Sequence, residues 1–67
     1  MSVLMVGERI ELIEDVPLSS IHFHGRSLAT GMTGTVGRVD SDYLIAVSFD
    51  NGMEVWISST SARKIEA

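Results

Sequence analysis

Apolar and polar residues alternate along much of this chain, and this alternation predicts strands. Ile10 and Leu12 lie on one side of an extended segment, and Arg9 and Glu11 lie on the other side. No stretch repeats apolar residues at the three- and four-residue spacing that an amphipathic helix of about ten or more residues requires. The pattern therefore predicts an all-β domain whose first strand follows Gly7.

The second predicted strand, residues 34–39, contains a conflict in its alternation. Val36 and Val39 are three positions apart, so an ideal strand would place them on opposite faces. A bulge at Gly37 would add one residue to the strand and let both valines face inward. The polar residues 40–42 then predict a turn.

The next two predicted strands, residues 43–49 and 53–57, form a hairpin whose register follows from their apolar residues. A two-residue turn would place Glu54 on the inward face. A three-residue loop of residues 50–52, with Gly52 at positive φ, avoids this. It brings six apolar residues onto one inward face: Ile45, Val47, Phe49, Met53, Val55 and Ile57.

The rest of the chain supplies a long loop, a short helical turn and a last strand. Residues 14–33 are rich in turn-forming residues, and a loop of this length in a small domain is commonly functional. The hydroxyl-rich residues 58–62 predict a single 3-10 turn, and residues 63–66 predict a strand with Ile65 inward. Together these elements predict a five-stranded SH3-like small barrel with a long first loop and a 3-10 turn before the last strand.

Length and composition bound the class of protein. The 67 residues, 45% of them hydrophobic, suffice for one domain, residues 1–67, with one packed core. Cysteine is absent, which leaves no disulfide or thiolate ligand and favours a reducing, cytoplasmic location. The apolar N-terminus is interrupted at Gly7, far short of the roughly 18 residues of a membrane span, so we predict neither a transmembrane helix nor a signal peptide.

Four segments of the chain resemble the electron-transport accessory barrels. They are Val6-Gly7-Glu8-Arg9-Ile10, Gly31-Met32-Thr33-Gly34-Thr35-Val36, Val47-Ser48-Phe49 and Arg63-Lys64-Ile65-Glu66. This family includes the variable chain of ferredoxin–thioredoxin reductase, photosystem I reaction-centre subunit IV and the small SH3-like subunit of the photosynthetic NAD(P)H dehydrogenase complex. The resemblance covers most of the chain, through glycines at turns and valines in strands.

The resemblance implies an accessory subunit without a redox centre or other cofactor. Barrels of this family dock on a larger catalytic or membrane complex, often near the place where ferredoxin binds, which for this chain implies a redox or photosynthetic complex. The segment Ile21-His22-Phe23-His24 resembles the histidine-containing loop of the reductase variable chain. Two features depart from the family pattern: the neighbouring proline is missing, and the chain is acidic.

Trp56 is the strongest indication of an interface. The predicted register places its indole on the outer face of the sheet, opposite Ala46, and tryptophan is enriched at binding hot spots. The alternative is that the N-terminal arm, residues 3–5, or a second copy of the chain covers it. Tyr43 at the start of a strand would extend the same surface.

The long loop contributes the other predicted partner-binding residues, namely His22, Phe23, His24 and Arg26. An extended backbone would point both histidines to one side, where Glu14 and Asp15 could complete a metal site. Since a metal site needs three or four protein ligands and only two are secure, we predict no metal. Histidine near neutral pH also suits a pH-sensitive contact surface.

We predict a non-catalytic protein-binding module, since no nucleophile elbow or phosphate-binding glycine loop is present. One alternative is a nucleic-acid-binding barrel of the KOW type, which the spacing of Gly34, Val36 and Val39 resembles. The basic residues available to it are Arg26, Arg38, Arg63 and Lys64. The formal net charge of −4, from nine acidic and five basic residues, disfavours this alternative. A homo-oligomeric scaffold or pore is the other alternative.

Overall fold

The computed structural model describes residues 4–18 and 27–65. They contain seven strands, one 3-10 turn and no α-helix. The strands are β1 (Arg9–Leu12), β2 (Val16–Pro17), β3 (Ser27–Leu28), β4 (Thr33–Ser41), β5 (Leu44–Phe49), β6 (Glu54–Ser58) and β7 (Ala62–Lys64). The 3-10 turn, Ser59–Ser61, joins β6 to β7, as the sequence predicted. The prediction of an all-β domain is therefore confirmed.

Five strands form one antiparallel sheet in the order β6-β5-β4-β1-β7, and β2 and β3 form a separate pair. In the described residues the larger sheet is open, with β6 at one edge and β7 at the other. Each strand except β1 and β7 pairs with its neighbour in sequence, and β1 lies between β4 and β7. The first strand, β1, and the last strand, β7, are thus neighbours at one edge of the sheet.

The core is formed by residues that alternate along the strands. Ile10 and Leu12 of β1 are almost fully buried, as predicted from their alternation with charged residues. The other buried apolar residues are Leu4, Leu28, Val36, Ile45, Ala46, Val47, Phe49, Ile57 and Ala62. Met53 and Val55 pack against this core while remaining partly exposed. Burial of large aliphatic side chains is the main stabilising contribution in a domain of this size.

The predicted bulge in the second long strand is present. The register of β4 against β5 shifts between Val36 and Arg38, so the extra residue is Gly37. The shift brings Val39 opposite Ile45, but Val39 is 39% exposed and is not part of the core. The prediction that Val39 packs inward was therefore only half right, because β1 pairs with β4 no further than Thr35 and leaves the far end of β4 uncovered.

The turn after the bulge lies later than predicted. Ser41 still pairs with Leu44, so β4 includes two of the three residues assigned to the turn, and the turn itself consists of Asp42 and Tyr43. The backbone N–H of Tyr43 donates to the hydroxyl of Ser41, 3.3 Å away. A serine side chain that bonds a backbone group two residues ahead favours such a turn. Tyr43 is therefore a turn residue and not the first residue of a strand.

The hairpin of β5 and β6 has the predicted register. Ile45 pairs with Ile57 and Val47 with Val55, so the apolar residues share the inward face. The backbone N–H of Phe49 donates to the carbonyl of Met53 at 2.7 Å, which closes a three-residue loop. Gly52 in that loop has a φ of 96°, the left-handed conformation that glycine adopts without strain.

Candidate functional site

Trp56 lies on the outer face of the sheet, as predicted. It pairs with Ala46 across β5 and β6, and its side chain is 47% exposed. The described part of the N-terminal arm does not cover it, since Leu4 belongs to the core on the opposite side and Met5 is itself 65% exposed. Whether Val3 contributes falls outside the described residues. Half of a large aromatic side chain thus remains in contact with solvent.

A row of three residues crosses the outer face at the level of this tryptophan. Arg38 of β4 pairs with Ala46 of β5, which pairs in turn with Trp56 of β6. Ala46 is only 4% exposed although it points outward. Its two cross-strand neighbours are long enough to lie over a methyl group, which explains its burial.

Leu44 extends the apolar surface towards one end of the sheet, where Tyr43 lies in the adjoining turn. Leu44, 39% exposed, is the diagonal neighbour of Trp56, and Tyr43 beside it is 73% exposed. Their turn is anchored to the 3-10 turn, because the backbone N–H of Ser59 donates to the Tyr43 carbonyl at 2.9 Å and the Ser59 hydroxyl donates to the Asp42 carbonyl at 2.6 Å. We call this surface the Trp56 face; it comprises Arg38, Tyr43, Leu44, Ala46 and Trp56.

Negative charge surrounds the Trp56 face. Glu54 precedes the tryptophan by two positions and is exposed on the same face, while Asp40 and Asp42 lie at the end that carries Tyr43. Within the described ranges, none of these three carboxylates forms an ion pair. Among the described basic residues, Arg38 alone lies on this face. An exposed aromatic residue among carboxylates suits a partner that is apolar and basic.

Most of the described basic residues are paired with carboxylates. Arg63 of β7 contacts Glu11 of β1 at 2.7 Å, and Lys64 contacts Glu8 at 2.7 Å. The hydrogen bond from Lys64 and a second from the Met5 backbone N–H hold the pKa of the Glu8 carboxyl below its usual value. Both ion pairs join β7 to β1 or to the residue just before it. They neutralise positive charges that a phosphate-binding surface would need.

A third ion pair, which the sequence pattern did not predict, joins three parts of the sheet. The Arg9 guanidinium donates to both oxygens of Asp50 at 2.7 and 2.8 Å. The Thr33 hydroxyl donates to the same carboxylate, and the backbone N–H of Asp50 donates to the Thr33 carbonyl at 3.0 Å. The Arg9 guanidinium, and after it the Thr33 hydroxyl, hold the pKa of the Asp50 carboxyl far below its usual range. No local signal reveals this contact, since Arg9 and Asp50 are 41 positions apart.

The acidic residues proposed for a metal site are engaged in other contacts. The Asp15 carboxylate accepts hydrogen bonds from the backbone N–H and the hydroxyl of Thr30, both at 2.8 Å. These bonds, the backbone one above all, lower the pKa of the Asp15 carboxyl. Glu14 accepts from the hydroxyl of Ser61 at 2.8 Å. No group of three or more metal-ligating residues occurs among residues 4–18 and 27–65. These two carboxylates close the base of the long loop, which also holds the short β2–β3 pair.

The four loop residues predicted to bind a partner lie outside the described residues. They are His22, Phe23, His24 and Arg26. Their roles remain predictions; of the predicted set the structure describes Trp56 and Tyr43, and both are exposed. Arg38, Leu44 and Ala46 are additions that the register supplies, because they are the cross-strand and diagonal neighbours of the tryptophan.

The chain matches no protein-family model, and searches of curated proteins and of solved structures find no match either. The described residues include no helix long and apolar enough to cross a membrane.

Proposed function

We propose that this chain is an SH3-like small barrel that acts as a non-catalytic protein-binding module, with the Trp56 face as its docking surface. The observation that carries the proposal is the 47% exposure of Trp56 beside a buried alanine on a regular sheet face. Tryptophan contributes large contact area at low conformational cost and dominates many protein interfaces. A sheet holds such a residue in one orientation without a partner, so less order has to be gained on binding.

The strand order supports the barrel. A long loop follows the first strand, three strands form consecutive hairpins, and the last strand returns to pair with the first after a 3-10 turn. The sequence prediction of an SH3-like barrel depended on the long first loop and on the 3-10 turn before the last strand, and the pairing of the last strand with the first adds to that support. Closure would require the two edges of the sheet to curve towards each other across the core. The bulge at Gly37 supports such curvature, because it bends the central strand β4 near its middle.

The partner that we propose is a larger redox or photosynthetic complex, on which the chain docks as an accessory subunit. This part of the proposal follows from the resemblance of four sequence segments to the electron-transport accessory barrels. Asp40, Asp42 and Glu54 form an acidic rim, which favours a docking partner that presents basic residues around an apolar patch.

Truncation of the indole tests the proposal. The wild-type chain and a Trp56→Ala variant are used as baits in extracts of the native host, and retained proteins are identified by mass spectrometry. For a hot spot we expect a loss of at least about 2 kcal/mol, or roughly 30-fold in affinity, for the specific partner. Affinity of the purified partner is then measured by calorimetry.

Met5→Ala is the matched control, because Met5 is 65% exposed and does not belong to the Trp56 face. Partner binding should be unchanged in this variant. Urea unfolding of both variants shows whether they remain folded under the binding conditions. Equal retention of every partner by Trp56→Ala and wild type would refute the proposal.

A further inference from the structure

In the part of the chain that the structure describes, the β6 edge of the five-stranded sheet is open to strand addition. The bond from the Phe49 N–H to the Met53 carbonyl fixes the alternation of β6, so the backbone groups of Val55 and Ile57 face β5. The backbone groups of Glu54 and Trp56 and the N–H of Ser58 face outward, whereas the Ser58 carbonyl already accepts the first bond of the 3-10 turn. No backbone bond from the described residues reaches these outward groups, and all three side chains are exposed.

The other edge of the sheet is protected and β6 is not. β7 has three residues, of which Arg63 and Lys64 are charged and paired with carboxylates of the β1 segment. Short, charged edge strands resist pairing with other chains. β6 has five residues and a single charge, Glu54. An unpaired strand of this kind pairs readily with another extended segment.

We propose that β6 pairs antiparallel with β6 of a second copy of this chain, with the two-fold axis at Trp56. Trp56 is the central residue of Glu54–Ser58, so this register pairs all five residues. It sets Trp56 against the Trp56 of the second copy, Val55 against Ile57, and Glu54 against Ser58. Aromatic pairs and pairs of β-branched residues are favourable cross-strand neighbours.

The charges of the strand are compatible with this register, which is the one that pairs all five residues. An axis at Glu54 would set the two carboxylates directly opposite each other, which is destabilising. With the axis at Trp56 the two Glu54 residues are four strand positions apart, or about 14 Å. This separation exceeds the Debye length of roughly 8 Å at physiological ionic strength, so the repulsion is screened. Each carboxylate instead meets the hydroxyl of Ser58.

The interface is small, so the dimer should be weak and reversible. Two five-residue strands and two indoles bury less than the roughly 1,200 Å² that a stable complex usually requires. The outer faces of the two copies become one continuous surface, with the paired tryptophans at its centre. This inference rests on the proposed function in one respect, since both use the exposed Trp56. The dimer in addition requires the unpaired backbone groups of β6.

The Ser58→Pro variant tests pairing at the β6 edge while leaving the residues of the Trp56 face unchanged. Ser58 has a φ of −70°, which proline adopts without strain, and its N–H faces the open edge and not β5. In the proposed dimer this N–H donates to the Glu54 carbonyl of the second copy. Ser58→Ala is the matched control, because it keeps the N–H and loses the same side-chain contact with Thr60.

Sedimentation equilibrium from about 10 µM to 1 mM measures the association. For wild type and Ser58→Ala we expect the mass to rise with concentration from 7.3 kDa towards twice that value. Ser58→Pro should remain monomeric, with at least a tenfold weaker association. A wild-type chain that stays monomeric at 1 mM, or a proline variant that associates as well as wild type, would overturn the proposal.

Cysteine pairing tests the register without relying on the proline variant. The chain has no cysteine, so a mixture of Glu54→Cys and Ser58→Cys chains should oxidise to a mixed disulfide, because directly opposed Cα atoms lie within disulfide range. Either variant alone should form at least tenfold less. Equal yields from the mixture and from the separate variants would contradict the register.

The outcomes also distinguish this inference from the proposed function. A monomeric wild-type chain whose partner binding is lost in Trp56→Ala would overturn the dimer and leave the docking surface intact. A dimer that Ser58→Pro abolishes, in a chain whose retained proteins are the same with and without Trp56, would support the dimer and refute the docking surface.

Discussion

Gly34 lies at the centre of the sheet, where β4 is paired on both sides. Its Cα neighbours are Ile10 of β1 and Phe49 of β5. A Cβ at this position would lie 2.7 Å from the Ser48 carbonyl oxygen and 2.7 Å from a methyl carbon of Val47. Since both atoms belong to a packed core strand, neither can move far. Glycine is required here for the close approach of two strands.

Gly34→Ala should therefore destabilise the domain by about 2 kcal/mol or more through overpacking. Gly37→Ala is the control, because a Cβ there would meet only the Ala46 carbonyl oxygen at 3.8 Å, an ordinary contact. Urea unfolding followed by Trp56 fluorescence measures both variants. A Gly34→Ala domain as stable as the Gly37→Ala domain would show that the strands separate more easily than the packing suggests.

The contact of Arg9 with Asp50 joins β1 to the loop between β5 and β6, and Thr33 of β4 shares the carboxylate. Elements far apart in sequence are thereby held together at one end of the sheet. The pKa of Asp50 is lowered in the folded chain. A lowered pKa means that the stabilisation is complete above the ordinary value near 4 and is lost as the pH falls below it.

Asp50→Asn should accordingly reduce stability at pH 7 and make unfolding less dependent on pH in the acid range. The asparagine cannot carry the charge that Arg9 pairs with, so the variant and the wild type should converge as the pH falls below about 4. Urea midpoints measured from pH 7 to pH 2 provide the comparison. Asp42→Asn is the control, since Asp42 forms no ion pair within the described residues; a wild-type acid dependence equal to that of Asp50→Asn would contradict this role.

The distribution of charge over the described residues disfavours nucleic-acid binding. Three of the four described basic residues, Arg9, Arg63 and Lys64, contact carboxylates at 2.7 Å. Phosphate contacts by these residues would have to replace existing ion pairs. Only Arg38 lies on the Trp56 face, where Asp40, Asp42 and Glu54 exceed it in charge.

We therefore expect no shift of single-stranded or duplex nucleic acid in mobility assays with this chain, even at low ionic strength, where phosphate contacts are strongest. A Glu8→Gln/Glu11→Gln variant, which removes the carboxylates next to Lys64 and Arg63, serves as the comparison and should bind more than wild type does. Salt-dependent binding by the wild-type chain would favour the KOW-type alternative over the docking surface.

The alternation of polar and apolar residues correctly predicted which side of β1, β5 and β6 is apolar, the three-residue loop at Gly52 and the outward position of Trp56, but Ile65, predicted to face inward, lies beyond β7 and opposite exposed Arg9. These features follow from the two-residue period of a strand and from the conformational freedom of glycine, which act over a few neighbouring residues. The contact of Arg9 with Asp50, the close approach at Gly34 and the burial of outward-facing Ala46 became evident only in the folded sheet. So did the exposure of Val39. Each of these depends on which strands become neighbours and how far they overlap, and a local pattern of polar and apolar residues does not contain that information.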